Sequence, residues 1–367
     1  MLKSLEKKGK RGFARLAALF FGVEPMEPVS AAGIDPRRIL VVRQHNQMGD
    51  MLLAVPAFRA LRNRFPGARI ELLAAPINTD VMMNNPYVDE VLTYAKERNR
   101  RNPLRLVRFL KDIRRRRFDL VIVLNTVSFS VTSMLLAAAS GARVRAGSSG
   151  ARFGNDLTAR FYHLELPLPD DGELSRMHES EHNLYPLKAL GVRAAGLESL
   201  LVPAAGDQDE ADRIIAASFA KDLPFIVVHP GAGKKRNIWP AERFAETARR
   251  LREIRGTGIA AVRGPVDGET FDRFLKACGG AALVLSSPGV GLLGAVMRRA
   301  ALTLCNDTGI MHIAGAVGAS CCAVFGPTDP SRWKPVNENV VAVRAEGGDI
   351  ESVPVEDVLS AALRLLA

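Results

Sequence analysis

The sequence predicts an α/β chain of two Rossmann-like, doubly wound parallel-sheet domains facing a central cleft. Three observations carry this. At 367 residues the chain exceeds what one hydrophobic core usually organises. Short apolar runs alternate with helical patterns through both halves. Charged, glycine-containing motifs stand where strands give way to helices, which is where doubly wound sheets take their ligands.

In the first half the alternation runs as a strand at Ile39 to Arg43, a helix from Met51 to Phe65 and a strand at Ile70 to Ala74. A helix at Asp80 to Asn84 and a strand at Val91 to Tyr94 follow. Leu104 to Arg116 reads as helix, Leu120 to Leu124 as a wholly apolar buried strand, and Ser128 to Ser140 as helix again. A less regular stretch from Gly147 to about Gly206 holds a strand at His163 to Leu166 and a helix at Ser175 to Leu190. The pattern then restarts with a helix at Glu210 to Ser218. Strands at Phe225 to Val228, Ile259 to Arg263, Leu283 to Leu285, Leu302 to Cys305 and Cys321 to Phe325 are interleaved with helices. The expected division is a basic leader at 1–35, a first domain at 36–205, a second at 206–345, and a closing segment at 346–367. Its helix, about Val355 to Leu366, is expected to pack back across the domains.

Composition narrows the function classes. With 47% apolar and 24% charged residues, and 21 prolines and 31 glycines spread as single breaks, the chain reads as ordered over most of its length. The four cysteines fall in the second half without zinc or redox spacing, which fits buried thiols in a reducing compartment. A net charge of +11 favours an anionic partner. It is concentrated early: residues 1–24 carry Lys3, Lys7, Lys8, Lys10, Arg11 and Arg15 against Glu6 and Glu24, beside Leu16, Leu19, Phe20 and Phe21. That reads as an interfacial anchor. Residues 98–117 add nine arginines and Lys111 against Asp112 alone. The apolar run at the N-terminus is too short and too poorly flanked for a secretory signal, and no later run reaches the ~18 residues of a membrane span. Only 6% of residues are aromatic and no nucleic-acid-binding module is recognisable, which speaks against nucleic acid as the partner.

The first motif is Arg43-Gln-His-Asn-Gln-Met-Gly-Asp50, between the first strand and its helix. Gly49 permits a close turn, and Asp50 either caps the helix or serves as a general base toward an acceptor hydroxyl. In the second reading Gln47 and Gly49 lie on the acceptor side. A second motif, His229-Pro-Gly231-Ala-Gly-Lys234-Lys235-Arg236-Asn-Ile-Trp239-Pro240, places a glycine turn and three cations between strand and helix, a way to present N–H groups and charge to a phosphate. Gly231, Lys235 and Arg236 are its donor-side candidates, and Trp239 reads as a core anchor. The third, Asn306-Asp307-Thr308-Gly309-Ile-Met-His312, ends a strand and opens a small-residue helix whose first amides would face an anion. Asp307 either caps that helix or contacts ligand, and His312, one turn in, is either a satisfied structural residue or a ligand contact. The run Phe325-Gly-Pro-Thr328-Asp-Pro closes the next strand with a rigid turn.

The order and spacing of these four motifs, over about Ile39 to Pro335, resemble glycosyltransferase family 9, the ADP-heptose:lipopolysaccharide heptosyltransferases. The resemblance implies a GT-B fold, with an acceptor-binding N-terminal domain and a donor-binding C-terminal domain. It implies inverting transfer from ADP-heptose to a phosphorylated, lipid-linked acceptor, with no cofactor or metal. The expected setting is the cytoplasmic face of the inner membrane, with the protein peripheral to an anionic surface. Carried over by residue, Asp50 matches the catalytic base, Thr308 and Gly309 the diphosphate turn, and Asp307 and His312 donor-site positions. The chain departs from the family where a lysine often precedes the Trp-Pro pair by two residues: Asn237 stands there, and Lys235 or Arg236 is the expected substitute. An acidic residue after the Arg263-Gly-Pro turn often meets the donor ribose, and Glu269 and Asp267 both qualify. Alternatives are a GT-B transferase or epimerase using another nucleotide sugar, or a catalytically weak nucleotide-sugar-binding protein, which Asn237 would favour.

Overall fold

The computed structural model describes residues 21–26, 33–44, 47–126, 130–148, 150, 160–281 and 283–367. Most of the basic leader, residues 45 and 46 of the first motif, and the start of the helix expected from Ser128 lie outside these. The chain forms two compact units, one of residues up to Asn46 with Ala54–Leu197, the other of Gln47–Leu53 with Glu198–Ala367.

The first unit is one parallel sheet of β1 (Arg38–Arg43), β2 (Arg69–Ala74), β3 (Glu90–Thr93), β4 (Leu120–Val123), β5 (Val144–Gly147) and β6 (Leu164–Glu165). Its strand order is β3-β2-β1-β4-β5-β6, the doubly wound order whose direction reverses between the first and fourth strands. Leu40, Val42, Val121 and Val123 lie in a core with Ile113, Phe118 and Phe161, so both faces of the central strands are covered and their runs are continuously apolar. Fully buried Glu71 in β2 interrupts that pattern. Arg38 and Arg116 both reach its carboxylate, Arg69 bonds it at 3.1 Å, and Arg116 also holds Glu90 at 2.8 Å. A buried carboxylate is tolerated because three guanidinium groups compensate it.

Two helices read as continuous are broken. Met51 to Phe65 is a five-residue helix, Met48–Leu52, followed by Val55–Arg64, with Pro56 in the first turn of the second. Proline has no N–H to continue a preceding turn, so the ladder restarts there. The stretch Ser175 to Leu190 is likewise Glu179–Leu184 followed by a 3-10 turn Tyr185–Leu190 with Pro186 at its start.

The second unit repeats the order. Its strands are β7 (Phe225–His229), β8 (Gly258–Arg263), β9 (Leu283–Ser286), β10 (Leu302–Asn306), β11 (Cys321–Phe325) and β12 (Val340–Arg344), arranged β12-β11-β10-β7-β8-β9 with every pairing parallel. The terminal helix Val355–Leu365 buries Val358, Leu359, Ala361 and Ala362 in this unit's own core, beside Ala248, Leu251 and Cys322. No helix among the described residues is long and apolar enough to cross a membrane.

Candidate active site

In the second sheet the order reverses between β7 and β10, which stay paired through His229 and Cys305, so the segments leaving their carboxyl ends fork apart. Fully buried Asn306, the last residue of β10, bridges the fork. Its Nδ2 donates to the carbonyl oxygens of Pro230 at 2.9 Å and Gly231 at 3.1 Å, and its Oδ1 accepts from the Trp239 N–H at 3.0 Å. One amide thus fixes both ends of the loop carrying the three cations. Trp239 closes the loop from below, fully buried, edge-on to Phe244 and donating to the Val353 carbonyl oxygen at 3.0 Å. It is the core anchor that its sequence position suggested.

A second clasp lies across β7 and β8. Asp267 Oδ2 sits 2.8 Å from His229 Nε2 and accepts from the Gly264 N–H at 2.8 Å, with the aspartate and histidine both 5% exposed. A Cβ on Gly231 would fall 2.1 Å from Asp267 Cγ, and one on Gly264 would fall 2.4 Å from Asp267 Oδ2. Both glycines are therefore required by the carboxylate lying between them. Burial pushes the Asp267 carboxyl upward, but the bond to His229 and the Gly264 N–H outweigh it and hold the group below its ordinary value. Of the two acidic candidates, Asp267 is engaged inside the protein. Glu269 is exposed in the first turn of the Gly268–Cys278 helix.

Asp307, next after Asn306, gathers the remaining motifs. Its Oδ2 accepts from Thr328 Oγ1 at 2.5 Å and from Asn237 Nδ2 at 3.2 Å. The residue standing in the family's lysine position thus faces Asp307 through a neutral amide. Burial raises the Asp307 carboxyl, opposed by the Thr328 hydroxyl and the charge of Lys234. The charge of Lys234 reaches this carboxylate, and Lys234 is exposed, as are Lys235 and Arg236 in the 3-10 turn Lys235–Asn237.

Thr308 caps the helix Gly309–Ala316, its hydroxyl accepting from the Ile310 N–H at 3.3 Å. Capping by Thr308 leaves Asp307 for the contacts above, and the positive end of the helix dipole lies at Gly309. His312, 6% exposed, stands one turn in. Against it packs the short helix Met48–Leu52: a Cβ on Gly49 would lie 2.5 Å from His312 Cδ2, and Met48 lies alongside Gly309. Ser199 Oγ, donating to the Leu52 carbonyl oxygen at 2.8 Å, secures the end of this segment. Gln47 is exposed at the N-cap without capping through its side chain, and Asp50 is a partly exposed residue of the first turn. The first motif is therefore divided, with Arg43 and Gln44 in the first unit and Gln47, Gly49 and Asp50 packed with the second.

The Asp307 carboxylate, a helix start and the loop bearing three cations are thereby gathered at the carboxyl ends of β7 and β10. A helix start beside loop cations suits a diphosphate-bearing ligand. The contacts that sequence reasoning missed are those of Asn306, Asn237, Lys234 and Thr328 with their partners, and the His229–Asp267 pair. Each links residues far apart in the chain, and only the motif grouping hinted at them.

Two doubly wound units of this order, with such a site on the second, define the GT-B class of sugar-transferring proteins. The chain belongs to glycosyltransferase family 9 (heptosyltransferase), whose sequence profile matches residues 106–360, and is a glycosyltransferase. It is 25% identical over 351 residues to lipopolysaccharide heptosyltransferase 3 of Escherichia coli K12, covering 87% of this chain and 95% of that protein. Among solved structures, the family 9 glycosyl transferase of Veillonella parvula DSM 2008 superposes with a TM-score of 0.77 at 22% identity, covering 90% of this chain and 97% of that one. The E. coli heptosyltransferase WaaC with ADP gives 0.71 at 20% identity, covering 89% and 99%.

Proposed function

We propose that this protein transfers heptose from ADP-heptose to a lipopolysaccharide inner-core or lipid A acceptor, inverting the anomeric centre without a metal. The observation that carries the reading is the seating of Gly49 on His312, which sets the Asp50 segment beside the Thr308–Gly309 turn. In this reading Asp50 takes the proton of an acceptor hydroxyl. The oxygen forms its bond to the anomeric carbon as the bond from that carbon to the diphosphate breaks, and ADP leaves with the electron pair. The amides at Thr308 and Gly309 and the cations at 234–236 stabilise the departing charge, a role in which fixed dipoles and cations act strongly. Glu269 is assigned to the donor ribose, Gly231 to the donor turn, and Gln47 to the acceptor. The relatives' names, and the binding of ADP by one of them, support donor and acceptor class.

The test is a transfer assay with ADP-heptose and truncated lipopolysaccharide, with the product's anomeric configuration read by NMR. Inverted product, formed equally in EDTA, is expected. Retention of configuration, or strict dependence on magnesium or manganese, overturns the mechanism.

One observation favours a second reading. Asn237 offers Asp307 a neutral amide where the family pattern has lysine, which suits a protein that binds nucleotide sugar and transfers slowly. Turnover indistinguishable between the parent and Asp50→Ala, with ADP binding intact in both, would select it.

The basic surface of the first unit is assigned to an anionic partner: the phosphorylated acceptor and the cytoplasmic face of the inner membrane, to which the protein binds peripherally. Cations near such a surface contribute roughly 1 kcal/mol each.

A further inference from the structure

The helix Pro103–Arg115 presents two unlike faces. Its inner face is anchored: Ile113 is buried, and Leu106, Phe109 and Leu110 pack against the core of the first unit. Its start is fixed by Asn102, whose side chain accepts from the Arg105 N–H at 3.0 Å, with Pro103 in the first turn. With the inner face set, the α-helical period puts Leu104, Arg108, Lys111 and Arg115 on the ridge pointing directly away from the core. Leu104 is 76% exposed and Val107, on the flank of that ridge, 49%. Arg105, Arg108, Lys111, Arg114 and Arg115 are all exposed around them, with Asp112 the one acidic residue of the helix.

Arg116, just beyond, belongs to a different set. It turns inward to Glu71 and Glu90 and is part of the fold. The outward charge is therefore carried by the helix itself, and a structural lock ends it.

We infer that this ridge is the membrane-contacting element of the first unit, with Leu104 and Val107 entering the acyl boundary of an anionic bilayer and the surrounding cations meeting lipid phosphates. The inference rests on the membrane reading above and assigns it to residues. A phosphorylated sugar would use the cations alone, whereas a bilayer uses both the cations and the two outward apolar side chains. Apolar tips within a cationic field are the pattern of helices lying in a membrane interface.

The test uses the full chain with Leu104→Cys carrying an environment-sensitive fluorophore. The four native cysteines are all buried, so labelling is confined to position 104. Cosedimentation and emission are read together with phosphatidylcholine vesicles, with and without phosphatidylglycerol. The expected result is binding and a blue shift only with phosphatidylglycerol, both reversed by raised salt, and about tenfold weaker binding for Leu104→Ser/Val107→Ser with every cation kept. Binding to the anionic vesicles with no change in emission overturns this assignment and leaves the membrane reading standing. Absence of binding to either vesicle overturns both.

Discussion

Gly49 and His312 touch so closely that a single added methyl on the glycine would sit 2.5 Å from the imidazole Cδ2. Gly49→Ala must therefore push the Met48–Leu52 helix off the Thr308–Gly309 turn or turn the His312 ring. The expected outcome is a loss of transfer of more than about tenfold with destabilisation of ~1–3 kcal/mol, the usual range for an overpacked site. Thermal melts and steady-state kinetics check this. Adding His312→Ala removes the obstructing ring, and stability should recover.

Asp50→Ala should lower kcat by about 10² to 10⁴, the range of a lost general base, while leaving ADP affinity within about twofold. Calorimetric titration with ADP separates the two effects. An equal loss of binding and turnover would mean that the carboxylate holds the site together without accepting the proton.

Asn237→Lys restores the charge that the family pattern places opposite Asp307. The half-buried Asp307 carboxyl, raised by burial, would gain a cation in place of an amide that donates at 3.2 Å. Turnover is expected to rise severalfold in single-turnover experiments, with little change in donor KM, because in the proposed transfer the added charge would stand near the leaving diphosphate and act most strongly in the transition state. A fall in turnover would show that Asn237 is fitted to this site as it stands.

Acid should reach the first unit through Glu90. Its bonds from Arg116, helped by Arg69 against the opposing effect of burial, lower its carboxyl from 4.5 to about 2. A depressed folded value means that the stabilisation is complete above the unfolded value of 4.5 and is lost as pH falls toward about 2. Urea unfolding between neutral and acid pH should show this slope, and Arg116→Gln should flatten it. That variant also strips one of three guanidinium partners from buried Glu71, at about 2 kcal/mol, less than the ~3–5 kcal/mol of leaving a buried charge wholly unpaired.

Strands such as Leu120–Val123 and Cys321–Phe325 were legible as unbroken apolar runs, because burial on both faces leaves no alternation to decipher, whereas β12, Val340–Arg344, was not read as a strand although it opens with four apolar residues. Strand β5 escaped for the opposite reason. Its Val-Arg-Ala-Gly run puts a charged residue in a sheet, and Arg145 is accommodated by donating to the Phe21 carbonyl oxygen at 2.8 Å. Prolines decided where helices restart, and Pro56 and Pro186 carry that signal in the sequence itself. In the site, the motifs marked the residues but not their bonds. Nothing near Asp267 in the chain announces that His229 will absorb it and leave Glu269 exposed, since the two are joined only by adjacent parallel strands. The transfer of the Asp50 segment to the second unit is of the same kind: it follows from the missing side chain at Gly49, whose partner lies in a helix near the other end of the chain.

The bridge made by Asn306 bears on how this family can be recombined. Because one amide serves Pro230, Gly231 and Trp239 at once, the cation loop and the Asn-Asp-Thr-Gly strand end form a single structural unit, though two strands and three helices of sequence lie between them. A chimera that imports a relative's cation loop alone would meet a foreign asparagine and misalign the graft. Swapping residues across both strand ends together carries the matching pair, and is the crossover design by which donor preference should be exchangeable between relatives.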